Sequence, residues 1–239
     1  MYLSKCWRET RSTFFVFVGA ILAVGAFAGY VAWDPFGWIA AKPLELRAVW
    51  QSTTGGMVAT MLGMVPMAGF VLGALGVGME FEKGTADFLL TRPRSRRYFL
   101  WTSWSIGAAQ MAALVLVSHA VQLTRLDPHH FGSLRGFSRS LAAFCTVALF
   151  FYTVTYLMTT LARNSRHGTA LSVTAIVGYF GLYTWLRLWY EIAIPMPMEL
   201  MTRSGRGASA FPIAAVAGWL TVCLALMLIA QFRFERAEA

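Results

Sequence analysis

The sequence predicts an all-α membrane protein with six transmembrane helices. Three observations carry this. Of the 239 residues, 57% are hydrophobic and only 13% charged, against about 25% charged in soluble domains. Mean hydropathy is +0.57. The apolar residues also fall into six runs of about 20, the length that crosses a hydrocarbon core, and not into the stripes of a soluble helical core. No polar block between the runs is long enough for a separate soluble domain.

Residues 1–13 carry Lys5, Arg8 and Arg11 at a spacing of three, with Leu3, Cys6, Trp7 and Phe14 on the other side. This spacing predicts an amphipathic helix lying at the interface. Its basic face points to lipid headgroups and Trp7 marks the boundary. The first span follows over 14–33 without a charge. Ala26-Phe27-Ala28 has the form of a signal-peptidase site, but the apolar run continues to Trp33, so an uncleaved span is expected. Gly25 and Gly29 form a G-x-x-x-G pair suited to close helix contact. Residues 34–56 form a loop, with Leu44–Gln51 composed like a short surface helix. The second span, 57–79, holds Gly63, Gly69, Gly73, Gly76 and Gly78, which suits an interior helix, and Pro66, which predicts a kink.

Residues 80–97 form a polar island between two apolar runs, with eight charged residues, five of them basic. Gly84 breaks the preceding helix, and the Thr85 hydroxyl can cap a new one. Asp87 falls in its first turn, where a negative charge suits the helix dipole. Phe88, Leu89 and Leu90 supply apolar content. Arg92 precedes Pro93, which stops the helix. The expected product is a helix of one to two turns on the membrane surface, flanked by arginines and shaped to be gripped.

The third span, 98–122, begins with Trp101 and Trp104 as an interfacial belt and carries His119 near its far end, where a lone histidine is expected to be hydrogen-bonded. In the loop 124–140, Asp127, His129 and His130 are adjacent in sequence, and such neighbours rarely point at one ion, so an ordinary polar outer loop is expected. The fourth span is 141–161. The turn 162–168 is basic, through Arg163 and Arg166. The fifth span, 169–189, places Arg187 at its outer end, from which it can snorkel. Glu191–Met201 is too apolar for a free loop and too short to span. The sixth span is 211–231, and Phe232–Ala239 reads as a polar tail. Cys6, Cys145 and Cys223 show no metal or disulfide spacing and read as small apolar fillers.

With the first residues inside, the inner segments hold 12 basic residues in 46 positions, the outer ones 8 in 64. The positive-inside rule therefore places both termini in the cytoplasm of a multi-pass cell (inner) membrane protein. The net charge of +9 is accounted for by basic loops facing anionic lipid, without a nucleic-acid partner.

Glu80, Lys83-Gly84-Thr85, Leu89-Leu90 and Thr91-Arg92-Pro93-Arg94-Ser95-Arg96 resemble the cytoplasmic loop between the second and third spans of the type-2 permeases. These are the membrane subunits of ATP-binding-cassette (ABC) transporters, mostly exporters. The resemblance covers about 18 residues and is strengthened by the six spans around it. It implies that Glu80, Lys83, Gly84, Thr85, Asp87, Leu89, Leu90, Arg92, Pro93, Ser95 and Arg96 belong to a coupling helix that docks on an ATPase subunit. It makes 1–13 an elbow helix carrying Lys5, Trp7, Arg8 and Arg11, and 191–210 a half-entering outer hairpin. Arg163 and Arg166 become a second, smaller cytoplasmic contact, beside their plain reading as a basic turn. ATP and Mg would sit in the partner ATPase, with no cofactor in this chain. Two six-span subunits, identical or related, would pair and bind two ATPases.

Independent of that resemblance, the apolar runs hold almost no ionisable residues. Ion-coupled carriers need polar relays near the membrane midplane, and channels need a polar filter or charged ring. Neither is evident, and no phosphate-binding loop occurs. Transport would therefore draw its work from a partner. No metal site, no nucleophile–base set and no acidic pair within the spans points to catalysis. A non-transporting anchor or assembly scaffold is the alternative, and an intramembrane enzyme a distant third. The substrate stays open among lipids, hydrophobic drugs, lipid-linked molecules, polysaccharides and small peptides.

Overall fold

The computed structural model describes residues 2–33, 63–76, 80, 96–125, 134–162, 164–190, 197, 200 and 213–236. These residues are helical wherever they are regular, with no strand among them. Helix α1 is Tyr2–Trp33, α2 is Gly63–Ala74, and α3 is Arg96–Arg125. Helix α4 is Leu134–Ala162, α5 is Ser165–Tyr190, and α6 is Ile213–Arg236. All but α2 are long and apolar enough to cross a membrane. Even the 24 residues of α6 extend about 36 Å, more than the hydrocarbon thickness of about 30 Å. The chain is therefore a multi-pass, all-α membrane protein. The described part of the expected second span is α2, and the loop 34–56, most of 80–97, 126–133 and most of 191–212 lie outside the described residues.

Helix α4 is the centre. In its apolar window 67% of residues are buried, against 17% in α5 and in α6. Its neighbours are α3, α5 and α6, and α2 lies on it through glycines. A Cβ on Gly69 would sit 3.1 Å from Ala148 O, and one on Gly73 would sit 2.8 Å from Tyr152 O. Only backbones without side chains between them come this close. Phe70 meets Phe151 at 5.6 Å beside this seam.

The many hydroxyls of α4 are satisfied within the bundle, as an apolar solvent requires. Thr146, Thr155, Thr159 and Thr160 donate to carbonyls four residues back. Two tyrosines instead reach across to α3: Tyr156 Oη donates to Leu100 O at 2.9 Å and Tyr152 Oη to Trp104 O at 3.2 Å. In return Trp104 Nε1 donates to Thr153 Oγ1 at 3.2 Å. At the other end of the pair, His119 is buried. Its Nδ1 donates to Val115 O at 3.0 Å, and its Nε2 lies 3.1 Å from Ser140 Oγ. The lone histidine is thus hydrogen-bonded and joins α3 to α4. The three cysteines form no disulfide.

Four boundaries differ from the sequence pattern. Residues 2–13 and the first span form one continuous helix, Tyr2–Trp33. No Gly or Pro stands between Lys5 and Phe14 to break it. Trp7 packs on Phe14 at 5.8 Å and Phe15 at 6.4 Å, two turns on, so aromatic contact crosses the expected boundary. Cys6, Phe14, Ile21 and Ala28 form its buried stripe, and α1 packs on α3. Helix α4 starts at Leu134, earlier than the expected 141. Helix α5 starts at Ser165, because Asn164 caps it: Oδ1 accepts from the N–H of Arg166 at 2.9 Å and of His167 at 3.3 Å. Finally, α6 runs to Arg236. Residues 232–236, expected as polar tail, are helix, and Phe234 is buried and stacked on Phe99 at 6.4 Å.

Candidate functional site

The candidate site is the connection 80–97 and what holds its two ends. Of the motif residues, Lys83, Gly84, Thr85, Asp87, Leu89, Leu90, Arg92, Pro93 and Ser95 lie outside the described residues, as does Arg163. Arg96 opens α3. Glu80 is described, and so are Arg97, Arg166 and the four residues of the expected elbow.

At the entry, Glu80 is 3% exposed. A carboxylate in an apolar bundle is costly unless paired and hydrogen-bonded. Lys5 Nζ donates to Glu80 Oε2 at 2.8 Å, with the lysine side chain 33% exposed. The sequence pattern groups Lys5 with Arg8 and Arg11, but the structure separates them. Arg8, Arg11 and Trp7 are exposed, whereas Lys5 turns into the bundle against Glu80. One turn on, Gln110 Nε2 of α3 donates to Thr10 Oγ1 at 2.8 Å, and Thr10 Oγ1 donates to Cys6 O at 3.0 Å. Cys6, Thr10 and Glu80 border a small cavity of about 10 Å³ between α1, α2, α3 and α4, whose lining also includes Leu72, Ser103 and Tyr152. It has room for about one water, among enough polar partners to hold it. Gly107 keeps it narrow, since a Cβ there would lie 2.2 Å from Tyr152 Oη.

At the exit, Arg97 Nε donates to Glu235 Oε1 at 2.6 Å and Nη2 to Oε2 at 3.4 Å, in the forked geometry that suits guanidinium and carboxylate. Trp101 Nε1 donates to Gln231 Oε1 at 2.9 Å, and Gln231 Nε2 donates to Glu235 Oε1 at 3.1 Å. The Phe99–Phe234 stack lies in the same contact. The end of α6 is therefore fastened to the first two turns of α3.

Arg166 is exposed in the first turn of α5. Gly168 sets the tightness of the α4–α5 turn, as a Cβ there would meet Thr159 Cα at 2.3 Å.

The motif reading missed Glu235, Gln231 and Gln110, and missed that Lys5 belongs to Glu80. One signal was available: Glu80 is an acid at the edge of an apolar run, and such a group must find a cation. Gln231 and Glu235 also share a helix face at a spacing of four. The identity of either partner across 75 or 138 residues had no local signal.

No protein-family model matches this chain, and no curated protein does either.

Proposed function

We propose that this chain is the permease subunit of an ATP-driven transporter of the ABC type-2 kind, an exporter in the cell (inner) membrane with its first and last residues in the cytoplasm. The segment 57–79, of which α2 is part, is its second span and brings the number of spans to six. The observation that carries the reading is the ordered run from Glu80 through Lys83-Gly84-Thr85 and Leu89-Leu90 to Pro93-Arg94-Ser95-Arg96, placed in the connection between α2 and α3. A second support is energetic. The middles of α1 and of α3 to α6 contain no Asp, Glu, Lys or Arg, so these helices offer no acidic relay for ion coupling. The work must come from a partner, and a short amphipathic helix flanked by arginines is a surface through which it can arrive.

On this reading a pair of permease subunits, identical or related, binds two ATPase subunits that hold ATP and Mg. Their closure displaces the helix around Gly84–Thr91, and the spans rock between inward- and outward-facing states.

Co-purification from native membranes in mild detergent should recover a soluble ATPase. Leu90→Asp and Gly84→Pro should each abolish coupled ATP hydrolysis while membrane insertion is retained. Unchanged hydrolysis in both inserted variants would remove the docking assignment. Failure to recover any nucleotide-hydrolysing companion would leave a membrane anchor or scaffold instead.

A further inference from the structure

We infer that the first turns of α1 line a water-filled cleft at membrane depth, with Arg8 and Arg11 on its wall, and that this cleft takes an anionic group. Helix register places them there. The level of the membrane is set by α6, the most apolar of the five spanning helices and among the least buried. Leu220, Leu224, Leu228 and Ile229 stand exposed on it, so hydrocarbon covers this helix. Its last turns are bonded to the start of α3, Gln231 to Trp101 and Glu235 to Arg97. Hydrocarbon therefore begins near the level of Trp101. Helix α1 runs along α3 in the same direction: Cys6 shares a cavity with Ser103 and Gly107, and Thr10 is bonded to Gln110. Gln110 lies about 14 Å beyond Trp101 along α3, against about 15 Å for half the hydrocarbon thickness. Thr10 and Arg11 are thus close to mid-membrane, and Arg8 is about one turn short of it.

Toward α3 the polar groups of this segment are paired, Thr10 with Gln110 and Lys5 with Glu80, and Glu9 lines the cavity. The opposite side carries Ser4, Arg8, Arg11 and Ser12, all exposed. Neither arginine enters an ion pair among the described residues. A bare guanidinium does not stay in hydrocarbon. Snorkelling cannot relieve Arg11, because the nearer membrane surface is farther away than its side chain is long. Water must therefore reach this face. It stops one turn on, where Phe15 and Val16 are apolar and exposed. A wet cleft with low-dielectric walls and two guanidinium groups concentrates anions, so the ligand is a phosphate, sulfate or carboxylate group. On the permease reading this would favour anionic substrates. That step rests on the reading, whereas the cleft does not.

Thiol labelling tests this on the full chain in phosphatidylcholine nanodiscs without any ATPase, with the three native cysteines replaced by alanine. Ser12→Cys is nearly isosteric, exposed, and leaves both arginines in place. Leu224→Cys is the control at similar depth, about 16 Å from Glu235 along α6. The probes are two membrane-impermeant methanethiosulfonates, one bearing a sulfonate and one a trimethylammonium group. Ser12→Cys should react at least about a hundredfold faster than Leu224→Cys, since hydrocarbon excludes charged reagents. Its preference for the sulfonate reagent should fall about fivefold or more when Arg8→Gln and Arg11→Gln are added. Slowing of Ser12→Cys by inorganic phosphate supports a soluble anion as occupant. Slowing only when phosphatidylglycerol is included supports a lipid headgroup. If Ser12→Cys is as inert as Leu224→Cys, lipid or a second copy covers the face and the inference is overturned. Equal, fast labelling of both would overturn it as well, because the bilayer would be thin everywhere and no cleft required. A sulfonate preference unmoved by loss of the arginines would remove the anion assignment. If labelling follows expectation and no ATPase is ever recruited, the cleft stands and the permease reading falls.

Discussion

The seam between α2 and α4 permits a sharp test, with Gly73→Ala against Gly63→Ala. A Cβ at Gly73 would lie 2.8 Å from Thr155 Cβ, 2.8 Å from Tyr152 O and 3.1 Å from Tyr156 N, while one at Gly63 meets nothing within 4 Å. Two of the three atoms at Gly73 are backbone, so no rotamer change relieves them. Restoring ordinary contact requires α2 to withdraw by about 0.6 Å, and a gap of that size forfeits a quarter to a half of the dispersion energy along the seam. It also stretches the Thr159 Oγ1 to Gly73 O bond, 3.3 Å long. Overpacking of this kind costs about 1–3 kcal/mol. Replacing a helical glycine by alanine returns up to about 1 kcal/mol through propensity. Gly73→Ala should therefore come out destabilised by about 1–2 kcal/mol as the difference of these terms, and Gly63→Ala neutral or slightly stabilised. Steric-trap unfolding in bicelles measures both on one scale. Equal stabilities for the two variants, or a stabilised Gly73→Ala, would refute the close approach of α2 to α4.

Tyr156→Phe removes the Leu100 O bond between α4 and α3 and leaves a carbonyl that its own helix also satisfies. The expected loss is about 0.5–1.5 kcal/mol in the same assay. Asn164→Ala removes the side-chain cap of α5, which should cost about 1 kcal/mol. That loss should appear as faster exchange confined to the amides of Arg166 and His167. Deleting residues 232–239 should unseat Phe234 from Phe99 and expose the ring, raising Trp101 fluorescence quenching by a soluble quencher. An unchanged quenching constant would contradict the docked last turn of α6.

Hydropathy alone determined the fold class and the placing of the long helices. Transfer of some 20 apolar residues into hydrocarbon is local and additive along the chain, so it needs no knowledge of partners. The polar island at 80–97 is visible in composition alone, while the short helix expected between Gly84 and Pro93 lies outside the described residues. The sequence pattern also grouped the glycines of the second span as close-packing sites, and Gly69 and Gly73 do meet the α4 backbone.

What tertiary structure decided is which groups meet. Lys5 looks like one member of a basic face with Arg8 and Arg11, and only packing of α1 on α3 turns it toward Glu80. Phe232–Ala239 looks like tail by its charges, yet Phe234 finds Phe99, and Glu235 finds Arg97 138 residues away. Residues 2–33 form one continuous helix, and Trp7 meets Phe14 and Phe15 across the boundary that the amphipathic pattern suggests. Local energies choose helix and span, whereas ion pairs and aromatic stacks depend on distances that exist only once the helices have packed.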